Sequence, residues 1–365
     1  MNSMCLRKRA VFLSVLSACL AGTPAVSAPL AVEEINPGYV YIGPVGDGGW
    51  TYMQDVGRRA VDATFPGLKS AIVESVEEGP GSVAVMERLI RQNKSRLIFA
   101  CSFGYMDFVQ EMAKKYPETV FMHVSGYKRA DNVGTMFGRM YQPRYLSGLT
   151  AGSVSKSGNI GYVAAHPIPE VIRMINAFTL GVRKVNPKAT VKVVWLFSWL
   201  DPGKEKEAAK ALIESGCDVL AMHADTGAVA QACEEAKTYV VGYNNDMSQY
   251  APTMHLTAPV WNWAKLFEPI VQQVSEGTWK SQDIWWGLKE GAVDLAPFGP
   301  AVPEDVRKMV NDEKTRVIAG EQPIFSGPLK DQTGAVKVKE GNTMTDAEIW
   351  SMDWFVEGVL GDIPR

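Results

Sequence analysis

Residues 39–53 read YVYIGPVGDGGWTYM: an apolar β-type run, four glycines within residues 43–49, and Trp50 opening a helical stretch. A strand that leaves through a glycine-rich turn into a helix is the opening unit of a parallel α/β sheet. Glycines at such an exit suggest a phosphate cradle. A dinucleotide fingerprint, however, needs a third glycine where helix and strand close together, and here Gly46-x-Gly48 runs on into Trp50 and Thr51. No nucleotide cofactor is expected, nor any other, so the indole at the strand exit needs a different use.

The same unit recurs along the chain. Apolar runs at 71–76, 97–102 and 119–125 follow the first, each leading into a helical periodicity; after Gly158 the rhythm restarts at 159–165, 190–198, 218–225 and 239–244. Two successive βα sets predict an α/β protein with two open parallel sheets covered on both faces by helices. The expected division is a signal peptide over 1–28, a first lobe over 29–145 plus about 258–300, and a second lobe over 146–257 plus about 301–365. Residues 141–156 are expected to cross between the lobes and 255–260 to cross back, forming a multi-strand hinge, with an aromatic-rich helix over 347–360 closing the tail.

Arg7, Lys8 and Arg9, the apolar residues 10–20 and the small-residue exit TPAVSA (23–28) have the architecture of a secretory signal. Two processing routes fit: cleavage near Ser27 or Ala28, or a lipobox at Leu16-Ser17-Ala18-Cys19 that would leave Cys19 lipidated at the N-terminus. Either route places the domain outside the cytoplasm, in the periplasm. Removing the three leader cations from 37 basic against 40 acidic residues leaves 34 against 40, a net charge of −6. An acidic chain without a basic stripe is not a nucleic-acid binder. Cys101, Cys217 and Cys233 remain, an odd number without a C-x-x-C, and their apolar contexts predict buried thiols.

Catalytic and metal motifs are missing. No G-x-x-x-x-G-K-[ST], G-x-S-x-G or H-E-x-x-H occurs in the sequence. His223-x-Asp225 offers two ligand types on one strand, too few for zinc, and His223 is expected to be a satisfied strand-end histidine. Asp47 and Asp246 end strands in different lobes and could face each other as an acid/base pair, but both sit in turn sequences and are expected to serve the turns. The strand exits instead repeat aromatic and small polar residues: Trp50, Ser102-Phe103-Gly104-Tyr105, Ser125-Gly126-Tyr127, Ser198-Trp199, Asp225-Thr226-Gly227, Tyr243-Asn244, and Trp261 at the return crossing. A flat ligand held between rings is the simplest use of that set, since each stacked base contributes about 1–3 kcal/mol.

These features together resemble the BMP (basic membrane protein) family, the purine nucleoside receptors of ABC importers, built on the type I periplasmic binding fold. The resemblance is carried by GPVGDGGWTYMQDVGRRA (43–60), AKKYPETVFMHVSG (113–126), NVGTMFGRMYQPRYLSGLTAG (132–152), DPGKEKEAAKALIESGCDVLAMHADTG (201–227), YVVGYNND (239–246), FSGPLKDQTG (325–334) and WFVEGVLG (354–361). It implies two Rossmann-like lobes with the ligand in the cleft between them, a solute receptor rather than an enzyme, and permease and ATPase subunits as partners.

The departures bear on the ligand. Nucleoside-binding members resemble one another in an Asp-Asp pair at the first strand exit and a Phe three residues on; here those places hold Gly46, Asp47 and Trp50. Their ribose-binding acid and lysine are matched by Asn244 and Trp261. Losing both charges removes the grip on a sugar, so the expected ligand is a free purine base, adenine first, with a purine nucleoside as the alternative. Expected stackers are Trp50 and Trp199, with Phe103 or Tyr105 beside them; expected edge readers are Asp47, Ser102, Ser125, Asp225 and Asn244, with Tyr141 and Trp261 on the hinge side. The competing reading from another class is an exported nucleoside hydrolase or phosphorylase using Asp47 or Asp246.

Overall fold

The computed structural model describes residues 28–364. The signal-peptide and lipobox expectations therefore lie outside the described residues. Strands β1 (Gly38–Val40), β2 (Ala71–Val73), β3 (Leu97–Ala100), β4 (Val120–Val124) and β5 (Val133–Gly138) form the first sheet. Strands β6 (Asn159–Ala164), β7 (Thr190–Trp195), β8 (Val219–His223), β9 (Tyr239–Val241) and β10 (His255–Thr257) form the second. Later strands are β11 (Pro259–Trp261), β12 (Asp283–Trp286), β13 (Val293–Leu295), the hairpin β14 (Leu329–Lys330) and β15 (Val336–Val338), and β16 (Val359–Leu360).

The first sheet runs β2-β1-β3-β4-β5-β12 and the second β16-β7-β6-β8-β9-β10, every pairing parallel. Each lobe thus has the same doubly wound order, with an extra strand added at a different edge. In both, the order reverses beside the lobe's first strand, between β1 and β3 and between β6 and β8, and ligands of open α/β sheets bind beyond the strand ends at such points. Strands β3, β4 and β8 are buried at every position, as expected of strands covered by helices on both faces. Cys101, Cys217 and Cys233 are buried free thiols.

The lobes are joined three times. The chain passes at 139–141 into the helix Tyr141–Val154, which packs with the helix Pro169–Val185 of the second lobe. It returns at 258–259 into β11, which pairs with β13, and passes again ahead of the helix Glu304–Ile318. Of residues 141–156, over which a crossing was expected, Tyr141–Val154 form that second-lobe helix, and the crossing itself lies at its start.

The tail departs from the expected helix over 347–360. A helix of one turn, Asp346–Trp350, opens on a Thr345/Glu348 capping box and stops. The Asn176 side chain then takes up the tail backbone, donating to the Trp354 carbonyl at 2.7 Å and accepting from the Val356 amide at 2.9 Å. Positive φ at Gly358 and Gly361 brackets β16, which adds to the second sheet beside β7.

Candidate functional site

The facing carboxyl ends of the two sheets enclose a slot lined by Ile42, Trp50, Ser102, Phe103, Ser125, Glu170, Trp199, His223, Asp225 and Tyr243. Each lobe contributes from the strands flanking its switch point. Trp50 heads the helix Trp50–Thr64 after β1 and Ser102 follows β3; Glu170 lies in the first helical turn after β6, and His223 ends β8. The slot is narrow, with a cavity volume of about 30 Å³, and it adjoins a roomier chamber of about 330 Å³.

Trp50 is pinned on several sides. Its Nε1–H donates to the Cys101 carbonyl at 3.0 Å, and its ring meets Trp261 at 5.5 Å and Trp263 at 5.2 Å, both near perpendicular. Trp199, from the other lobe, is half-buried with its ring 4.7 Å from His166 and 6.3 Å from His223. The walls are thus aromatic on both sides.

Asp225 is the oriented carboxyl. Trp261 Nε1–H donates to Asn244 Oδ1 at 2.9 Å, and Asn244 Nδ2–H donates to Asp225 Oδ1 at 3.0 Å. This relay runs from a hinge strand to the end of β8 and leaves Asp225 Oδ2 without a partner among the described residues. Burial, with Asp47 and Glu205 nearby, holds the Asp225 carboxyl well above the usual carboxylate range. Burial likewise pushes Glu170 up to about 7, and it keeps His223 neutral. Ser102 Oγ–H donates to Glu78 at 2.5 Å, and Ser125 Oγ–H to the Val124 carbonyl at 2.6 Å.

Of the expected contacts, Trp50, Ser102, Phe103, Ser125, Trp199 and Asp225 line the slot. Asn244 and Trp261 stand one layer behind, acting through Asp225 and Trp50. Tyr105 lies in the first-lobe core with its hydroxyl on the Val76 carbonyl. Tyr141 packs on Trp285 and Phe325, away from the slot. Asp47 caps the helix Trp50–Thr64, accepting from the amides of Gly49, Thr51 and Tyr52 at 2.8–2.9 Å, and Asp246 accepts from Ser248. Both therefore serve their turns, which removes the acid/base pair. Gly46 faces open space.

The glycines of the opening turn meet the second lobe. A Cβ at Gly49 would lie 2.2 Å from the Asp225 carbonyl oxygen, and one at Gly48 2.7 Å from the Tyr250 hydroxyl. Asn245 Nδ2–H adds a donation to the Gly48 carbonyl at 3.4 Å. The turn is a docking point between lobes in a closed cleft.

Ile42, Glu170 and His223 line the slot without having been expected to, and Tyr243, one of the strand-exit aromatics, lines it as well. Glu170 was visible only as an acid in a first helical turn, a place where acids commonly serve the helix dipole. His223 is not the satisfied histidine its position suggested, since among the described residues Nδ1 has no partner, and Nε2 stands 3.7 Å from Glu170. Among the described residues no group of three or more His, Cys, Asp and Glu side chains could hold a metal ion.

The comparisons with known proteins agree with this architecture. The chain is 41% identical over 349 residues to a purine-binding protein of Brucella abortus (strain 2308), covering 95% of this chain and 99% of that one. It is 39% identical over 336 residues to a Haloferax volcanii protein provisionally named an ABC transporter glucose-binding protein, covering 92% and 83%. A solved ABC transporter solute-binding protein from Aeropyrum pernix K1 matches with a TM-score of 0.70 at 18% identity, over 87% of this chain and 95% of that one, which speaks to the fold alone. The family model described as ABC transporter substrate-binding protein PnrA-like matches residues 36–326, and the chain belongs to that family, Bmp.

Proposed function

We propose that this receptor binds a free purine base, adenine first, in the slot between Trp50 and Trp199. The observation that carries the reading is Asp225, a buried carboxyl oriented by Asn244 with one oxygen open to an aromatic-walled slot. A buried carboxyl without a full set of donors is costly, and donors from a ligand lower that cost. A free base carries a ring N–H that glycosylation removes, so it can donate where a nucleoside cannot. The relative named as a purine-binding protein supports the class. As an ABC transporter substrate-binding protein the chain is a receptor and not an enzyme, working with permease and ATPase subunits. We place it in the periplasm, where it delivers its base to the importer.

Closure follows from the geometry. A ligand that touches Trp50 and Ser102 on one lobe and Trp199 and Asp225 on the other makes all its contacts only when the lobes meet, so it favours the closed form. The glucose-binding name of the Haloferax relative supplies the competing ligand class, since sugar hydroxyls also donate to carboxylates. Native mass spectrometry of the purified protein, followed by calorimetry with adenine, hypoxanthine, adenosine, guanosine and glucose, separates these readings. The tightest binding is expected for a free base. Adenosine or guanosine binding more tightly than every base would overturn the base assignment, and glucose binding most tightly would overturn the purine class.

A further inference from the structure

Arg173 does not line the slot. It lies on the helix Pro169–Val185, is 2% exposed, and lines the adjoining chamber together with Phe103, Ser125, Tyr127, Glu170 and Trp350. Its guanidinium sits within a cage of rings, 4.7 Å from Trp350, 5.6 Å from Trp285 and 5.8 Å from Phe137. Its hydrogen bonding is poor: Nη1–H reaches the Trp350 carbonyl at 3.5 Å, and among the described residues Nε and Nη2 make no hydrogen bond. Among the described residues it forms no ion pair. Burial pulls the guanidinium down to about 10, so it remains a cation at neutral pH.

A buried arginine normally has a carboxylate or a set of carbonyls on its donor fork. Arg144 shows the contrast within this chain, for it is also fully buried but donates to the Met222 and Gly242 carbonyls. The ring cage offsets part of the burial cost of Arg173 and leaves its donors unused beside about 330 Å³ of space. The wall is built partly from Trp350 and Ser351, which lie beyond the residues 36–326 that match the family model. Phe103, Ser125 and Glu170 line both spaces, so the chamber adjoins the slot directly. Glu170, the carboxyl on that wall, is pushed up to about 7 by burial, and in its neutral form it can donate rather than repel an anion.

We propose that the chamber is an oxyanion subsite, in which Arg173 grips a carboxylate or phosphate that is either carried by the ring-bearing ligand or bound beside it. This deepens the purine assignment and rests on it only for the occupant of the slot. Arginine's planar fork suits such a group because it offers two parallel donors at fixed spacing.

Calorimetry on the full chain tests it in three arms: adenosine 5′-monophosphate against adenosine, adenine with and without saturating inorganic phosphate, and phosphate or acetate titrated alone. The expected result is a gain of about tenfold or more for the oxyanion in the first or second arm. Arg173→Gln should remove that gain while leaving the neutral base within about twofold. A gain in the first arm alone identifies a tethered group, and a gain in the second a separate anion. No oxyanion preference in any arm overturns the proposal. So does an Arg173→Gln variant that weakens neutral and anionic ligands equally, because the arginine would then only brace the tail. If no purine binds, the third arm still decides, with binding lost in Arg173→Gln in favour and no binding against. If Arg173→Gln does not fold, Arg173→Lys, which keeps the charge without the fork, takes its place and should lose at least part of the gain.

Discussion

Replacing Gly49 by Ala strikes the contact between the lobes that closes the cleft. The added Cβ would stand 2.2 Å from the Asp225 carbonyl oxygen, 2.8 Å from its carbon and 2.9 Å from its Cα, all backbone atoms that cannot swing away. Ordinary contact begins at 3.4 Å, so the two backbones have to part by the difference from 2.2 Å, about 1.2 Å. Steric insertion of this kind costs about 1–3 kcal/mol in a packed setting. Because the clash lies between lobes, that cost falls on closure, and apparent affinity drops by the same factor, about 5- to 150-fold. Thermal unfolding without ligand should change little. The control is Gly46→Ala, where an added Cβ meets nothing within 4 Å. Calorimetry with adenine reads the affinity, and small-angle scattering with and without ligand reads the compaction. If Gly49→Ala binds within twofold of the parent, as Gly46→Ala should, the turn is not the lobe contact described above and the reasoning fails.

Trp50→Ala should weaken base binding by about 5- to 150-fold, the loss of one stacking wall, with unchanged circular dichroism; undiminished affinity would sink the stacking arrangement. Trp261→Phe keeps a ring against Trp263, 4.6 Å away, but removes the donor to Asn244. Affinity should fall by about three- to thirtyfold, the equivalent of one buried hydrogen bond or a little more, and an unchanged value would mean the relay does not orient Asp225. Glu170 binds its proton more tightly folded than unfolded, since burial raises it from 4.5 to about 7. The stability it costs is therefore absent at low pH, grows as pH rises through that window, and reaches about 3 kcal/mol once both states are ionised. Glu170→Gln should accordingly melt higher than the parent near pH 8 and alike near pH 4; equal melting at both would refute the assignment.

The alternation of apolar runs and helical stretches was enough to read two parallel-sheet lobes, because strands buried on both faces are apolar along their whole length. Edge strands carry less of that signal. The edge strands β12 and β16 were not foreseen from DIWW or VEGVLG, whose pairing depends on partners distant in the chain. The tail was misread for a related reason: Trp350, Trp354 and Phe355 have helical spacing, yet the Asn176 side chain bonds the backbone there in another conformation. Within the slot, aromatic residues at strand exits were legible because they are out of place locally. Glu170 was not, since an acid in a first helical turn has an ordinary explanation, and only the facing lobe gives it another. The Gly48 and Gly49 contacts with Tyr250 and Asp225 span some two hundred residues of sequence, and no local pattern encodes which surfaces will meet.

Trp261 touches both halves of the binding apparatus, with its ring against Trp50 and its N–H on the amide that steers Asp225. Changes of ligand preference along a lineage would then be strongly epistatic. Placing an acid at Asn244 alone would set a second carboxyl beside Asp225, and placing a lysine at Trp261 alone would take away the support behind Trp50. Altering the ligand preference of the slot at Asn244 or Trp261 therefore disturbs Trp50 or Asp225 as well, and Trp50, Asn244 and Trp261 are expected to change as a block rather than one at a time.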